Sequence, residues 1–464
     1  MKNKRLFLPA LLLFSIILPS SCGEDPLKYS YFLDISKFND YKENEYCRTN
    51  IQSLNDNNYP YLAQVKSLTA YNKNPDGTYI PAEESIYPFD TNLIYVRYAK
   101  EKLESTATIN TIENILGEYT YQTHCLFDRH YYYFDENKNL INNLKVINDS
   151  YGTNTWLDID KRLYEVLLEA KELTKFSNGK FNLFVGELSD KWDYYITYNN
   201  IFSSDYTNSI DPEQNEDTKL EIVTLLNNTP QKEEIDNVLE LKSTENSYQV
   251  RFNKYKNAKK VSITLGGIGK GYLTENLYQS YKKNNLTYGM LTAGSSSMVF
   301  FGDRVFKDNW YIGLSNPYGV YYNTLGTLKL ENTKYSTSTS GSQVNYYYAL
   351  VNNKIVLRNH IIDPTTGYPN DYYNQILLIS KTIPSTKMDA LSTVLVNCSF
   401  EEIQNYITNI RNTYGDLEFV FSKKKTPDQE ELVDVYLSKG LQNNNIFKKN
   451  NPDDCKVNYH NLNY

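Results

Sequence analysis

Between Val261 and Leu437, apolar runs of strand length follow one another across turn signals, and helical patterns interrupt them at irregular intervals. The runs are VSITL (261–265), YGMLTAG (288–294), SSMVFFG (296–302), WYIGLS (310–315), QILLIS (375–380), LEFVF (417–421) and VDVYL (433–437). YYYALVNNKIVLR reads as a hairpin, two apolar runs around Asn352-Asn353. Helices are expected from near Tyr272, over about 385–397 and over about 400–412. A further one carries Leu163, Val166, Leu167, Ala170 and Leu173 on one face, with Asp158 or Asp160 as its cap and Asn178-Gly179 as its stop. Strands and helices do not alternate as a βαβ repeat would require. The fold class is therefore α+β, with mixed sheets and packed helices.

Outside that region the patterns weaken. Residues 23–110 are polar and rich in Tyr and Asn, which suggests a tether and a small extra N-terminal region or a peripheral decoration. The main domain is expected over 111–440. Within it, residues 203–245 read as an acidic, solvated insertion. Residues 441–464 read as a loose polar tail. The formal net charge is −7, which argues against a nucleic-acid partner, since that needs a concentrated basic surface. The 44 Tyr accompany an Asn- and Lys-rich composition, so their number carries no functional weight.

The N-terminus has the form of a secretory signal. MKNKR precedes an apolar run from Leu6 to Leu18, and Pro-Ser-Ser then leads to Cys22. That run is shorter than the roughly 20 residues a spanning helix needs. The ending resembles a bacterial lipobox, with Pro19 where Leu is usual. Cys22 would then be lipidated and the protein anchored outside the cell membrane. Cys47, Cys125, Cys398 and Cys455 remain, with no C-x-x-C pair among them. Disulfides are permitted there and not demanded.

Four short segments carry chemistry. GGIGKG (266–271) is a glycine turn between a strand and a helix; it serves either as a tight connection or as an anion cradle with Lys270 as a point charge. It lacks the Walker and the dinucleotide spacings. In TKMDALSTVLV, Asp389 and Thr393 lie four apart on one helical face, two hard oxygen donors suited to Mg²⁺; Asp389 equally suits a helix start. STSTSG (336–341) reads as a hydroxyl-rich turn, which binds phosphate or hydrogen-bonds itself. His360 opens HIIDPTTGYP, where Asp-Pro and Gly-Tyr-Pro enforce turns; it is a structural histidine or a base that works near neutral pH.

Taken in order, GGIGKGY, AGSS, STSG, HIIDPTTGYP and MDALST resemble the ApbE family, the FAD:protein FMN transferases. SNGKFNLFVGELSDKW (177–192) is similar to a further family segment. The resemblance covers about residues 117–425. It implies an enzyme that splits FAD between its phosphates, attaches FMN to a Thr or Ser hydroxyl of a protein acceptor and releases AMP. It also implies an acceptor site of the type Asp-x-x-Ser/Thr-Gly-Ala-Thr. By the same resemblance, Asp389 and Thr393 give side-chain oxygens to Mg²⁺, and Gly267 and Ser392 give backbone carbonyls. Phe181, Asn182, Thr264, Lys270, Ile361 and Ile362 lie along the flavin nucleotide, and His360 is the base. The chain departs from the family at Thr264 and Asn182, where Asp is usual, at Glu275, and at Gly294-Ser295-Ser296. Two other readings remain: a lipoprotein that binds or hydrolyses FAD without efficient transfer, and a solute-binding or adhesion lipoprotein.

Overall fold

The computed structural model describes residues 49–464 except 53–60, 66–67, 69, 83–85, 92–93, 99–105, 136, 303–308, 318–323, 332, 343, 425–431, 444 and 453–454. The proposed signal, Cys22 and Cys47 lie outside the described residues. Among those described, no helix is long and apolar enough to cross a membrane, and Cys125 and Cys398 are buried free thiols.

A ten-stranded sheet forms the centre. Its spatial order is Thr49–Gln52, Tyr61–Val65, Ile94–Tyr98, Gly289–Ala293, Ser297–Phe301, Tyr335–Gly341, Gln375–Ser380, Glu418–Lys424, Leu432–Leu437 and Lys456–Asn461. The first nine pair antiparallel and the tenth is parallel to the ninth. QILLIS shows why the sheet is buried on both faces. Ile376 and Leu378 point to one core, Leu377 and Ile379 to the other, and every residue of the strand is buried. On the first face lie helices Thr106–Phe127, Lys161–Phe176, Gly269–Lys283 and Ser385–Val396. On the second lies a three-stranded sheet of Trp310–Ser315, Thr324–Leu330 and Phe447–Lys449.

Several expectations hold. The helix Lys161–Phe176 is capped by Asp160, whose carboxylate accepts from the Arg162 amide, and its five apolar residues are fully buried. The hairpin is Tyr346–Val351 with Lys354–Asn359, and Asn352 and Asn353 both take positive φ, as its two-residue turn demands.

Other expectations need correction. VSITL is extended but joins no ladder: Thr264 N donates to Leu183 O, and the Asn148 amide takes both backbone groups of Ile263. STSTSG lies within the central strand Tyr335–Gly341, its serines alternating at period two. The helix expected near Tyr272 starts at Gly269, because packing against a second helix outweighs the poor helix propensity of glycine. Residues after Gly440 are not loose: Phe447–Lys449 and Lys456–Asn461 are edge strands of two sheets. The N-terminal strands Tyr61–Val65 and Ile94–Tyr98 extend the same central sheet. The segment 203–245 is exposed on its outer side only. It contains a turn at Pro212–Gln214, a helix Glu216–Asn227 and a strand Leu239–Ser243, and it buries Asp211.

Candidate active site

Two helix starts meet at the site. Gly271 allows it: a Cβ there would lie 2.3 Å from Ser385 O and 2.6 Å from the Asp389 Cβ. Glycine therefore brings helix Gly269–Lys283 into backbone contact with helix Ser385–Val396. Glu275 completes the join, accepting from the Ser385 amide at 2.9 Å and so capping a helix whose own cap residue, Pro384, supplies no side chain.

Asp389 is 4% exposed. Its Oδ2 accepts from Gly271 N at 2.8 Å, and its Oδ1 accepts from Ser297 Oγ at 2.9 Å and Ser338 Oγ at 3.4 Å. Among the described residues it forms no ion pair, so a buried carboxylate is solvated by hydroxyls and one amide alone. Thr393 lies one turn on, with Oγ1 3.3 Å from the position a Gly267 Cβ would take. Phe181 bounds the same glycine, at 3.1 Å from that position. The acid, the hydroxyl and the glycine turn are thus adjacent.

Serines from the central sheet support this arrangement. Ser392 Oγ bonds Ser338 Oγ at 3.0 Å and Ser340 Oγ at 2.7 Å, and donates to Asp389 O at 2.8 Å. Sequence alone does not mark Ser297, Ser338 and Ser340 as supports of the site; for Ser338 and Ser340 the available signal is the period-two serines of STSTSG.

Lys270 leaves the first turn of its helix, and its stem crosses Gly294; a Cβ on Gly294, which has φ +66°, would lie 3.1 Å from the Lys270 Cδ. No carboxylate among the described residues pairs with the ammonium, and the helix start has no side-chain cap. Gly269 N donates to Leu265 O and Gly271 N to Asp389, so the unpaired ammonium, at the positive end of the helix dipole, is what this end offers an anion.

His360 faces the same space. Its ring keeps solvent access but is set deep among neighbouring atoms. That desolvation, with the charge of Lys270 second, lowers its pKa to about 4. Nδ1 lies 3.0 Å from Val344 O. A carbonyl only accepts, so in the neutral ring Nδ1 carries the proton and the lone pair lies on Nε2; the Asn345 backbone is a further partner of the ring. The loop that follows is locked by buried Asp363. Its Oδ1 accepts from the Thr365 amide and hydroxyl at 2.8 and 2.6 Å; its Oδ2 accepts from Asn370 at 3.0 Å and Lys180 at 3.4 Å.

The remaining candidates serve the scaffold as well. Asn182 holds Phe184 N and Pro230 O, both at 2.9 Å. Thr264 Oγ1 accepts from Gly266 N at 3.2 Å. Ile361 packs in the main core and Ile362 in a separate cluster with Trp192. Among the described residues, no three His, Cys, Asp or Glu side chains cluster to hold a metal. An ion here would have to be held by the acid, the hydroxyl and carbonyl oxygens.

The ApbE family model matches residues 123–419, which include every one of these groups. The FAD:protein FMN transferase of Buchnera aphidicola subsp. Schizaphis graminum (strain Sg) is 25% identical over 237 residues, 51% of this chain. The chain spans 60% of that curated relative's length. The ApbE protein of Thermotoga maritima superposes with a TM-score of 0.51 at 21% identity, covering 77% of this chain and 94% of that one. The flavin transferase ApbE of Vibrio cholerae gives 0.50 at 15% identity, covering 81% and 99%. The solved structures share the fold, and the family match spans well over half the sequence: this chain is a member of the ApbE family.

Proposed function

We propose that the protein transfers FMN from FAD to a Thr or Ser hydroxyl of an extracytoplasmic acceptor protein, with Mg²⁺, releasing AMP. The observation that carries this reading is the buried, cation-free Asp389 carboxylate beside Thr393 and the glycine turn. A carboxylate so buried, with no ion-pair partner among the described residues, fits a cation site. Its oxygen-only donors fit a hard ion such as Mg²⁺. Asp389 and Thr393 side chains, with Gly267 and Ser392 carbonyls, would hold it. When bound, it would draw charge off the diphosphate.

The chain's own groups divide the remaining work. Lys270, at the start of its helix, binds phosphate oxygens. Phe181, Asn182, Thr264, Ile361 and Ile362 shape the nucleotide site. His360 Nε2 accepts the proton of the acceptor hydroxyl, whose oxygen bonds to the FMN phosphorus as the bond to AMP breaks. The reading MKNKRLFLPALLLFSIILPSSC as a lipoprotein signal places the protein outside the membrane, tethered through Cys22.

The test is to incubate purified protein with FAD, Mg²⁺ and an acceptor bearing the Asp-x-x-Ser/Thr-Gly-Ala-Thr sequence. AMP release and an FMN-sized mass increase on the acceptor are expected. AMP without covalent flavin would favour FAD hydrolysis, and no flavin binding would favour a binding or adhesion lipoprotein.

A further inference from the structure

His360 stands at the open end of a hairpin that no other strand holds. Tyr346–Val351 and Lys354–Asn359 pair only with each other among the described residues, and His360 follows the last pair, Tyr346 with Asn359. No ladder therefore fixes the hairpin against the central sheet. Side chains must place it.

One carboxylate takes hold of both its strands. Tyr347 and Arg358 are directly opposite in the register. Asp211 Oδ2 accepts from Tyr347 Oη at 3.0 Å and from Arg358 Nε at 2.9 Å. Glu213 also takes the guanidinium. The Asp211 side chain is fully buried and that of Arg358 nearly so. The guanidinium lies over the rings of Trp192 and Tyr368, 5.5 and 5.2 Å from their centroids. Bonds to the strand backbone add to the hold: Leu350 N donates to Tyr206 O, and the Gln214 side-chain amide donates to Leu350 O. Asp211, Glu213, Gln214 and Tyr206 all come from the segment 203–245, whose outer face is solvated.

A buried pair of this kind is a costly way to gain stability but a good way to fix one geometry. Arg358 is two residues from His360. The Val344 carbonyl that sets the His360 tautomer lies just beyond the other strand's end. We infer that Asp211 is a positioning residue: by gripping Arg358 and Tyr347 it sets the hairpin so that the free Nε2 of His360 faces the acceptor hydroxyl. This rests on the transferase reading above.

The experiment compares Asp211→Asn and Arg358→Met with wild type, using FAD, Mg²⁺ and the acceptor described above. Both variants should lose about tenfold or more in kcat for transfer while the FAD Kd stays within about twofold, because a small misplacement of a catalytic group costs rate and not ground-state binding. Nitrogen-15 NMR of the His360 ring, assigned by its loss in His360→Gln, should show one Nδ1–H tautomer in wild type and tautomer averaging in the variants. If either single variant fails to fold, Asp211→Leu/Arg358→Met leaves no fully buried charge unpaired, the Glu213 side chain being part exposed, and should fold with the same loss of kcat and the same averaging. Unchanged His360 signals, or an FAD affinity that falls with the rate, would overturn the inference. If wild type transfers no FMN, the transferase reading fails, and the NMR comparison still decides whether Asp211 sets the ring.

Discussion

Gly271→Ala separates positioning from stability at the centre of the site. The added Cβ would meet Ser385 O at 2.3 Å, where ordinary contact begins at 3.4 Å. The two helices must move apart by about 1 Å, and Asp389, whose Cβ is 2.6 Å from the new atom, moves with its helix. Overpacking costs about 2 kcal/mol, and alanine's better helix propensity returns about 1 kcal/mol. The net loss of about 1 kcal/mol lowers Tm by roughly 2 °C in a domain of this size. A displacement of about 1 Å at a catalytic centre, in contrast, costs on the order of 100-fold in rate. Calorimetry and AMP release from FAD, measured on the same preparation, compare the two effects. Wild-type activity with wild-type Tm would refute the reasoning, since it would mean that the helices are not held in contact at Gly271.

His360→Ala should slow transfer by roughly 100-fold or more and leave FAD affinity unchanged in a fluorescence titration; a large loss of affinity would make the ring structural. The base works in its neutral form, and its pKa is lowered to about 4. For wild type, kcat/KM should therefore hold steady as pH falls from 8 to about 5 and drop near 4. The limb in kcat should lie higher, because a bound diphosphate offsets the charge of Lys270. A kcat/KM limb at the ordinary histidine value of about 6.5 would contradict this. Asp363→Ala should cost about 3 kcal/mol in chemical denaturation, since it removes a buried acceptor of four hydrogen bonds and leaves the Lys180 ammonium without its buried partner; a loss under about 1 kcal/mol would show that the loop is held otherwise.

What could be read from the sequence was what periodicity and local chemistry encode. QILLIS, the Asn-Asn hairpin and the Leu163 to Leu173 face depend on neighbours a few residues away, and each is where its pattern put it. That Asp389 and Thr393 lie one turn apart on the helix Ser385–Val396 needed only helical spacing. Long-range closure was not legible. Nothing near Asp211 shows that its partner is Arg358, 147 residues on. Nothing in the polar N-terminal region marks Ile94–Tyr98 as the neighbour of Gly289–Ala293. STSTSG misled because hydroxyls favour turns when exposed, yet here a facing helix and Asp389 satisfy Ser338 and Ser340 inside a strand. The start of the helix at Gly269 likewise depends on a partner helix that local propensity does not include.

In the proposed reaction a divalent ion at Asp389 and Thr393 meets the diphosphate of FAD. Electron–nuclear double resonance of Mn²⁺ bound to the protein with FAD tests it most directly. A phosphorus-31 coupling in wild type that disappears in Asp389→Ala is the expected result. Mn²⁺ that binds without phosphorus coupling, or a coupling that persists in Asp389→Ala, would contradict it.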